Sequence, residues 1–211
     1  MGIIARKNDN EKTFEPIPQG LHLAICYGIF DIGTHLNERY KTKQRKIIIV
    51  WELPEDRIKI EKEDGLKDLP RAFSNQYTLS LGDNSFLRRD LESWRGKGFS
   101  NDELKGFDIT KLLGVACQLN IIHKQEGDKL YQNLSGIVQA PKGYKPILEN
   151  PKIYYSIEEH GEDIPDATPD WIVKKIKSCE EWNAQDVSVP LDVSLEELGE
   201  MTETGDDQIP F

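Results

Sequence analysis

Apolar residues recur at every second position in the first part of the chain. Between residues 19 and 32 these positions are Leu21, Leu23, Ile25, Tyr27 and Ile29. A period of two predicts a strand with one face in a core. Residues 45–53 predict a second strand, and their nearly unbroken apolar run indicates burial on both faces. The charged residues 54–70 predict an exposed hairpin loop or insertion before a third strand at residues 71–81.

The period changes after the third strand. Four apolar residues are spaced for one side of a helix, namely Phe86, Leu87, Leu91 and Trp94. Asn84 or Ser85 is suited to cap the start of this helix, and Gly96 is suited to end it. Residues 100–103 have the S-x-x-E form of a capping box, and residues 108–113 predict another short helical turn.

Strand patterns return at residues 115–124 and 129–140, on either side of a tight turn at residues 126–128. The order is therefore three strands, a helical segment and two strands. This order favours a five-stranded OB-type Greek-key barrel, with the helical segment between strands three and four. An SH3-like barrel or a small α+β sheet fits the same pattern nearly as well. Further along, residues 169–182 predict a short amphipathic helix that could dock on the barrel.

Charge divides the chain into two unlike parts. The net charge of the 211 residues is -10, which alone would argue against a nucleic-acid partner. However, residues 1–147 contain 23 Lys and Arg against 20 Asp and Glu, whereas residues 148–211 contain 4 against 17. From residue 178 onward there are ten acids and no Lys or Arg. The body is thus mildly basic, and the end is a strongly acidic tail that we expect to be disordered.

Several function classes lack their sequence signatures. No run approaches the roughly 20 apolar residues that cross a bilayer, and no signal-like stretch begins the chain. Cys26, Cys117 and Cys179 are odd in number and far apart, which predicts buried thiols rather than disulfides or a zinc site. Phosphate-binding loops, nucleophile elbows and metal-ligand spacings are not found. We therefore expect a protein that is not an enzyme and needs neither cofactor nor metal.

Cations and aromatic residues are interleaved in the body, as binding to single-stranded nucleic acid requires. The candidate nucleic-acid-binding residues are Arg39, Tyr40, Lys41, Lys43, Arg45, Lys46, Trp51, Arg71, Phe73, Tyr77, Lys124, Lys129 and Tyr131. In an OB barrel the first seven lie in the loop between the first two strands and in the second strand, a usual contact region.

Ordinary structural roles compete with this interpretation. A cluster of Lys and Arg in a loop is more often solvated surface than a track for phosphates. Phe73 and Tyr77 share a face with Leu79 and Leu81, so the two aromatic residues are also candidates for the core. Trp51 lies between apolar neighbours and has the same alternative role, while Trp94 is better placed for packing the helix.

The last six residues, Asp-Asp-Gln-Ile-Pro-Phe, closely resemble the acidic tip that ends bacterial single-stranded DNA-binding proteins. By that resemblance, Phe211 and its carboxylate would enter a basic apolar pocket on a partner protein, and Asp206 and Asp207 would lie against a basic ridge. Ile209 and Pro210 complete the partner-binding set. Gln208 departs from the pattern, because a third acid usually stands there. A short acidic peptide with one aromatic anchor suits such capture.

The body is also similar to a family of phage replication and recombination proteins, which are OB-type single-strand binders. Residues 33–35, 48–54, 77–81 and 91–96 carry this resemblance, which covers roughly residues 18–145. The segment after the body lacks the Gly/Gln/Pro-rich composition of bacterial linkers, so no oligomeric state is inferred from them.

These observations predict three parts: an OB-type DNA-binding domain at residues 1–147, a linker with a short helix at residues 148–185, and an acidic tail at residues 186–211. The expected function is to coat single-stranded DNA in replication, recombination or repair, in the cytoplasm of a bacterial host. The tail would recruit partner enzymes. One alternative is an adaptor or inhibitor that uses the tip without binding DNA, and a nuclease or other enzyme is the least favoured interpretation.

Overall fold

The computed structural model describes residues 15–38, 40–62, 65–127 and 129–186. The fold is mainly β, as predicted. Its strands are β1 (Gly20–Asn37), β2 (Thr42–Lys62), β3 (Gly65–Thr78), β4 (Ala116–Glu126), β5 (Lys129–Gln139) and β6 (Ile153–Tyr155). The helices are α1 (Phe86–Arg95), α2 (Asn101–Lys105), α3 (Ile157–His160), α4 (Asp170–Lys177) and α5 (Glu180–Asp186), with a 3-10 turn at Ile109–Leu112.

The strands form one sheet in the order β3-β2-β1-β4-β5. All four pairings along this path are antiparallel. Strand β1 is long enough to pair with two strands along one edge. Its first residues pair with β4, and its middle pairs in parallel with β6. The described residues thus form six strands, where the sequence analysis expected five.

The first core lies on the sheet face that α1 covers. Its largest fully buried side chain is that of Trp51, which lies 5.9 Å from the ring of Trp94. Helix α1 contacts both β3 and β5, the two ends of the strand order. Tyr77 on β3 donates a hydrogen bond to Asp90 of the helix, and Ser93 donates to the carbonyl of Ile137 on β5. The helix therefore spans the gap between the two edge strands.

A second core lies on the opposite face, between the middle of the sheet and the C-terminal elements. Its members from the sheet are Phe30, Ile32, Ile48 and Val50, and those from the later elements are Ile153, Tyr155, Ile157, Ile172, Ile176 and Cys179. Burial of β2 on both faces, inferred from its apolar run, is confirmed. Residues 153–186 form a layer on the sheet, and the predicted helix is present as α4 and α5.

Local sequence signals place the helices well. The Ser85 side chain accepts a hydrogen bond from the N–H of Arg88 and caps α1, and Gly96 ends α1 in the left-handed conformation. Ser100 and Glu103 form the predicted capping box of α2. The short turn predicted at residues 108–113 is the 3-10 helix capped by Asp108.

The segment at residues 54–70 is more regular than expected. It lengthens β2 and β3 into a protruding hairpin, in which Arg57 lies opposite Pro70 and Lys62 opposite Gly65. The three cysteines are free and buried, as predicted. Within the described ranges, no helix is long and apolar enough to span a membrane.

Candidate nucleic-acid interface

Three of the predicted stacking residues lie in the first core. Trp51 is fully buried, and Phe73 and Tyr77 are 8% and 4% exposed. Register explains this, because Trp51 lies opposite Phe73, and Ile47 lies opposite Tyr77, on the core face of the sheet. Burial and the adjacent Asp90 carboxylate raise the pKa of the Tyr77 hydroxyl well above its usual range. No ring of the three offers a free face to a base, so their predicted stacking role is corrected to a structural one.

The hairpin between β1 and β2 presents the predicted cations Lys41 and Lys43 to solvent, and both have a carboxylate partner. Lys41 Nζ lies 2.6 Å from Glu38, and Lys43 Nζ lies 2.5 Å from Glu180 of α5. Tyr40 is exposed beside them. Ion pairs as exposed as these contribute about 0–1 kcal/mol, so a phosphate can displace either carboxylate. Arg39 lies outside the described residues.

Arg45 forms ion pairs with two carboxylates of the fold. Its guanidinium lies 2.5 Å from Asp31 of β1 and also binds Glu158 of α3. The hydrogen bond to Asp31, opposed by partial burial, raises the already high pKa of Arg45 further. A guanidinium engaged by two carboxylates is poorly placed to bind phosphate, and it joins β1, β2 and α3. Lys46 follows on the opposite face of the strand, where it lies across from Thr78.

The remaining predicted residues lie elsewhere. Arg71 donates a hydrogen bond to the backbone carbonyl of Glu15. Lys124 pairs with Glu126 at 2.6 Å and lies across from Tyr131, which is 45% exposed, near the exposed Lys129. This hairpin extends beyond the first residue of β1, whereas the β1–β2 hairpin extends from its last residue. The two predicted clusters are therefore at opposite ends of β1.

A cleft of about 740 Å³ follows the free edge of β3, between that strand and the start of α1. Its lining includes Gln44, Asn75, Gln76, Tyr77, Thr78, Ser80, Phe86, Arg89, Asp90 and Leu134. Because β3 ends the strand order, its outer backbone groups are available to a ligand along this edge. Gln44 follows Lys43 directly, so the cleft begins next to the β1–β2 hairpin. We call this feature the β3-edge cleft.

Phe86 and Arg89 form the aromatic and cationic wall of the β3-edge cleft. The Phe86 ring is 69% exposed, and the Arg89 guanidinium lies 4.8 Å from its centre. Arg89 is held by Asp90 at 2.9 Å, and Asp90 also accepts a hydrogen bond from Tyr77 at 3.0 Å. Because the guanidinium lies over one face of the ring, a base can stack on the other face while the cation approaches a phosphate.

The sequence pattern predicts Phe86 on the packed side of the helix. Leu87, Leu91 and Trp94 are buried as expected, but Phe86 is not. At 100° per residue the three buried apolar positions lie within about 60° of one another, and Phe86 falls about 80° beyond the nearer edge of this stripe, past the buried Asp90. The angular position of Phe86 around the helix axis could therefore have identified it as a surface aromatic residue.

No protein-family model matches the sequence, and no curated protein matches it significantly. In the part of the chain that the structure describes, no group of three or more His, Cys, Asp or Glu residues is arranged to hold a metal ion. The predicted tip, Asp206, Asp207, Ile209, Pro210 and Phe211, lies outside the described residues.

Proposed function

We propose that the protein binds single-stranded DNA in the β3-edge cleft and recruits partner proteins through its acidic C-terminal tip. The body is proposed to be an OB-type barrel. The strand order β3-β2-β1-β4-β5, with α1 between the two edge strands, supports this assignment, since the OB barrel also has a helix after its third strand.

The observation that carries the proposal is the exposed Phe86 ring beside Arg89 in an open cleft. An aromatic side chain that leaves most of its surface in water gains little from packing, and it is available to stack on a base. The rest of the cleft lining is mixed: Gln44, Gln76 and Thr78 are polar, Leu87 and Leu134 are apolar, and the acids Asp83 and Asp90 are paired with Arg88 and Arg89. Such a surface accepts a backbone with bases of any sequence, because stacking does not read base identity.

The β1–β2 hairpin supplies cations at the entrance to the β3-edge cleft. Lys41 and Lys43 would exchange their exposed carboxylate partners, Glu38 and Glu180, for phosphates of the DNA. Because each phosphate contact releases counterions, binding should weaken steeply as salt increases. Recruitment by the tip is proposed from the hexapeptide resemblance and from the apolar anchor that Phe211 provides.

A direct test is fluorescence anisotropy with labelled oligo-dT of about 16 nucleotides, at the upper end of the site size of one OB domain. We expect salt-sensitive binding and a loss of about 5- to 150-fold in affinity for Phe86→Ala, since one stacked base contributes roughly 1–3 kcal/mol. Ile147→Ala is the matched control, because Ile147 is an exposed apolar residue outside the β3-edge cleft. Equal affinities for the two variants and the unchanged protein would contradict the assignment of the site.

A second function is favoured by the ion pairs on the predicted cations. Lys41, Lys43, Arg45 and Lys124 all face carboxylates of this chain, as they would if the barrel did not bind DNA. The protein would then be an adaptor or inhibitor that presents the tip to DNA-repair proteins. The same titration separates the two functions, because an adaptor shows no complex with oligo-dT at low salt.

A further inference from the structure

Helix α4 packs one apolar face against the sheet. Ile172 and Ile176 are fully buried in the second core, followed by Cys179. Trp171, Lys174 and Lys175 stand at positions i, i+3 and i+4, so they are neighbours on a different face. Trp171 is 44% exposed, and Lys174 is also exposed. The helix thus presents an aromatic ring and two cations together at the surface.

This group borders the β3-edge cleft. Lys175 Nζ donates a hydrogen bond to Gln76 Oε1 at 3.0 Å, and Gln76 lines the cleft. On the same outward face of β3, Ser74 and Thr78 are short and polar and lie beside β2. A chain that leaves the cleft toward α4 would cross the short polar side chains of Ser74 and Thr78 and the contact between Gln76 and Lys175.

The charge around α4 differs on its two sides. Within residues 15–38, 40–62, 65–127 and 129–186, no carboxylate forms an ion pair with Lys174 or Lys175. A separate hollow that involves α4 is lined by acids, Glu162, Asp166 and Asp170, together with Val173 and Lys177. The hollow has three carboxylates and one lysine, so we expect phosphate to favour the side of Lys174 and Lys175. The cations beside β3 also differ from Lys41 and Lys43, which must first give up carboxylate partners.

We infer that α4 forms a second wall of the DNA site, where Trp171 stacks on a base and Lys174 and Lys175 contact phosphates of a strand that continues from the β3-edge cleft. This inference rests on the proposed function and extends it. The site becomes longer than the cleft alone, and the C-terminal layer takes part in DNA binding as well as in packing.

Salt dependence tests the two lysines. For oligo-dT of about 16 nucleotides, the double substitution Lys174→Gln, Lys175→Gln should reduce the slope of log K against log salt by about 1.4, since each phosphate contact on single strands contributes about 0.7. Lys177→Gln is the matched control on the same helix, because Lys177 lines the acidic hollow and lies over Trp182. The control should leave the slope unchanged.

Tryptophan fluorescence tests the stacking. Trp51 and Trp94 are buried, and Trp182 lies beneath Lys177, so Trp171 is the exposed indole. Oligo-dT should quench the fluorescence of the unchanged protein, and Trp171→Phe should remove most of this quenching while retaining most of the affinity. Trp171→Ala should lose about 5- to 150-fold in affinity, as expected for one lost stacking contact.

Comparison with Phe86→Ala separates the inference from the proposed function. Weakening by Phe86→Ala, with the double lysine variant and Trp171→Ala behaving like Lys177→Gln, would overturn the role of α4 and leave the β3-edge cleft in place. An absence of any complex between oligo-dT and the unchanged protein would overturn both. Circular dichroism of each variant, matched to that of the unchanged protein, shows that lost affinity reflects lost contacts.

Discussion

At the scale of single residues, a buried carboxylate connects β2 to the chain that follows β5. Glu52 is fully buried. It accepts hydrogen bonds from the backbone N–H of Glu149 at 3.0 Å and of Asn150 at 2.8 Å, and another from the Asn150 side chain at 2.6 Å. Three donors offset the cost of removing a carboxylate from water. Glu52 thereby fixes the point where the chain turns toward the C-terminal layer.

Glu52→Gln should lower the free energy of unfolding by about 1–3 kcal/mol, because an amide has one accepting atom and its NH2 group would face N–H donors. Urea denaturation measures the change. Glu55→Gln is the matched control, since Glu55 is an exposed acid on the same strand, and surface substitutions usually change stability by less than about 0.5 kcal/mol. A similar midpoint for both variants would contradict the structural role of Glu52.

We expect Arg45→Ala to lower stability without weakening DNA binding, and Lys43→Ala to weaken DNA binding without lowering stability. Arg45→Ala removes a link between Asp31 and Glu158 and should lower the free energy of unfolding by about 1–3 kcal/mol. Lys43→Ala removes one exposed ion pair, with a stability change below about 1 kcal/mol. Only Lys43→Ala should weaken oligo-dT binding at unchanged stability. Urea denaturation and anisotropy on both variants provide the comparison, and a stable Arg45→Ala protein with lost DNA affinity would contradict it.

At the scale of elements, α5 is attached to the β1–β2 hairpin by a close backbone approach. Gly33 has a φ of 73°, and a Cβ there would lie 2.5 Å from Cys179 Sγ, so both conformation and space require glycine. Next to it, the carboxylate of Glu181 accepts hydrogen bonds from the N–H and the hydroxyl of Thr34 at 2.7 and 2.6 Å. Burial opposes ionisation of Glu181, but its hydrogen bonds, chiefly those from Thr34, together outweigh burial and lower its pKa.

The lowered pKa of Glu181 makes the attachment of α5 depend on pH. A carboxylate with a lowered folded-state pKa stabilises the fold above its unfolded pKa of about 4.3, and this contribution is lost as pH falls through the folded value. Glu181→Gln should therefore be less stable than the unchanged protein at neutral pH, and the difference should shrink below about pH 4. Urea midpoints across pH measure it. A difference independent of pH would contradict the argument, and Glu180→Gln, on an exposed acid of the same helix, is the control.

The elements that local chemistry determines were predictable from sequence, and those that depend on distant contacts were not. The cap at Ser85, the end at Gly96 and the capping box at Ser100 are properties of a few adjacent residues. Strand β6 has only three residues. It forms by pairing with β1, which lies more than 120 residues earlier in the chain. The hairpin extension of β2 and β3 is largely polar and follows from continued pairing of the two strands.

The same distinction applies to the candidate site. Alternation correctly placed Phe73 and Tyr77 on one face of β3. A period of two does not show which face of the sheet is buried, because the helix that packs on this face comes later in the chain. The exposed Tyr40, Lys41 and Lys43 were predictable, because a polar loop between strands lies at the surface. The cleft itself depends on how α1 lies across two edge strands, which sequence spacing does not contain.

At the scale of the whole molecule, the sheet needs its C-terminal layer. Phe30, Ile48 and Val50 on the sheet are covered by elements between residues 153 and 186. A chain ending at residue 147 would expose these side chains, each contributing about 1.5–3 kcal/mol by burial. We expect it to bind a hydrophobic dye and to aggregate, whereas a chain ending at residue 186 should unfold like the full protein. Equal solubility and stability of the two truncated chains would contradict a structural role for this layer.

The acids of the chain are concentrated at its C-terminal end. Residues 196–211 hold six acids and no Lys or Arg. If the body binds DNA as proposed, a tethered acidic segment would compete with DNA for its cations, most strongly at low salt, where the screening length is long. Deleting residues 196–211 should therefore leave oligo-dT affinity equal or higher at low salt, with a smaller effect as salt rises.

The same deletion should abolish capture of replication and repair proteins from a bacterial extract, because the tip would be lost with the acids. Phe211→Ala separates the two effects, since it removes the proposed apolar anchor and retains every acid. It should abolish capture while leaving oligo-dT affinity unchanged. A large fall in oligo-dT affinity on deletion would mean that the tail itself contacts the strand, and retained capture by Phe211→Ala would mean that recruitment depends on charge alone.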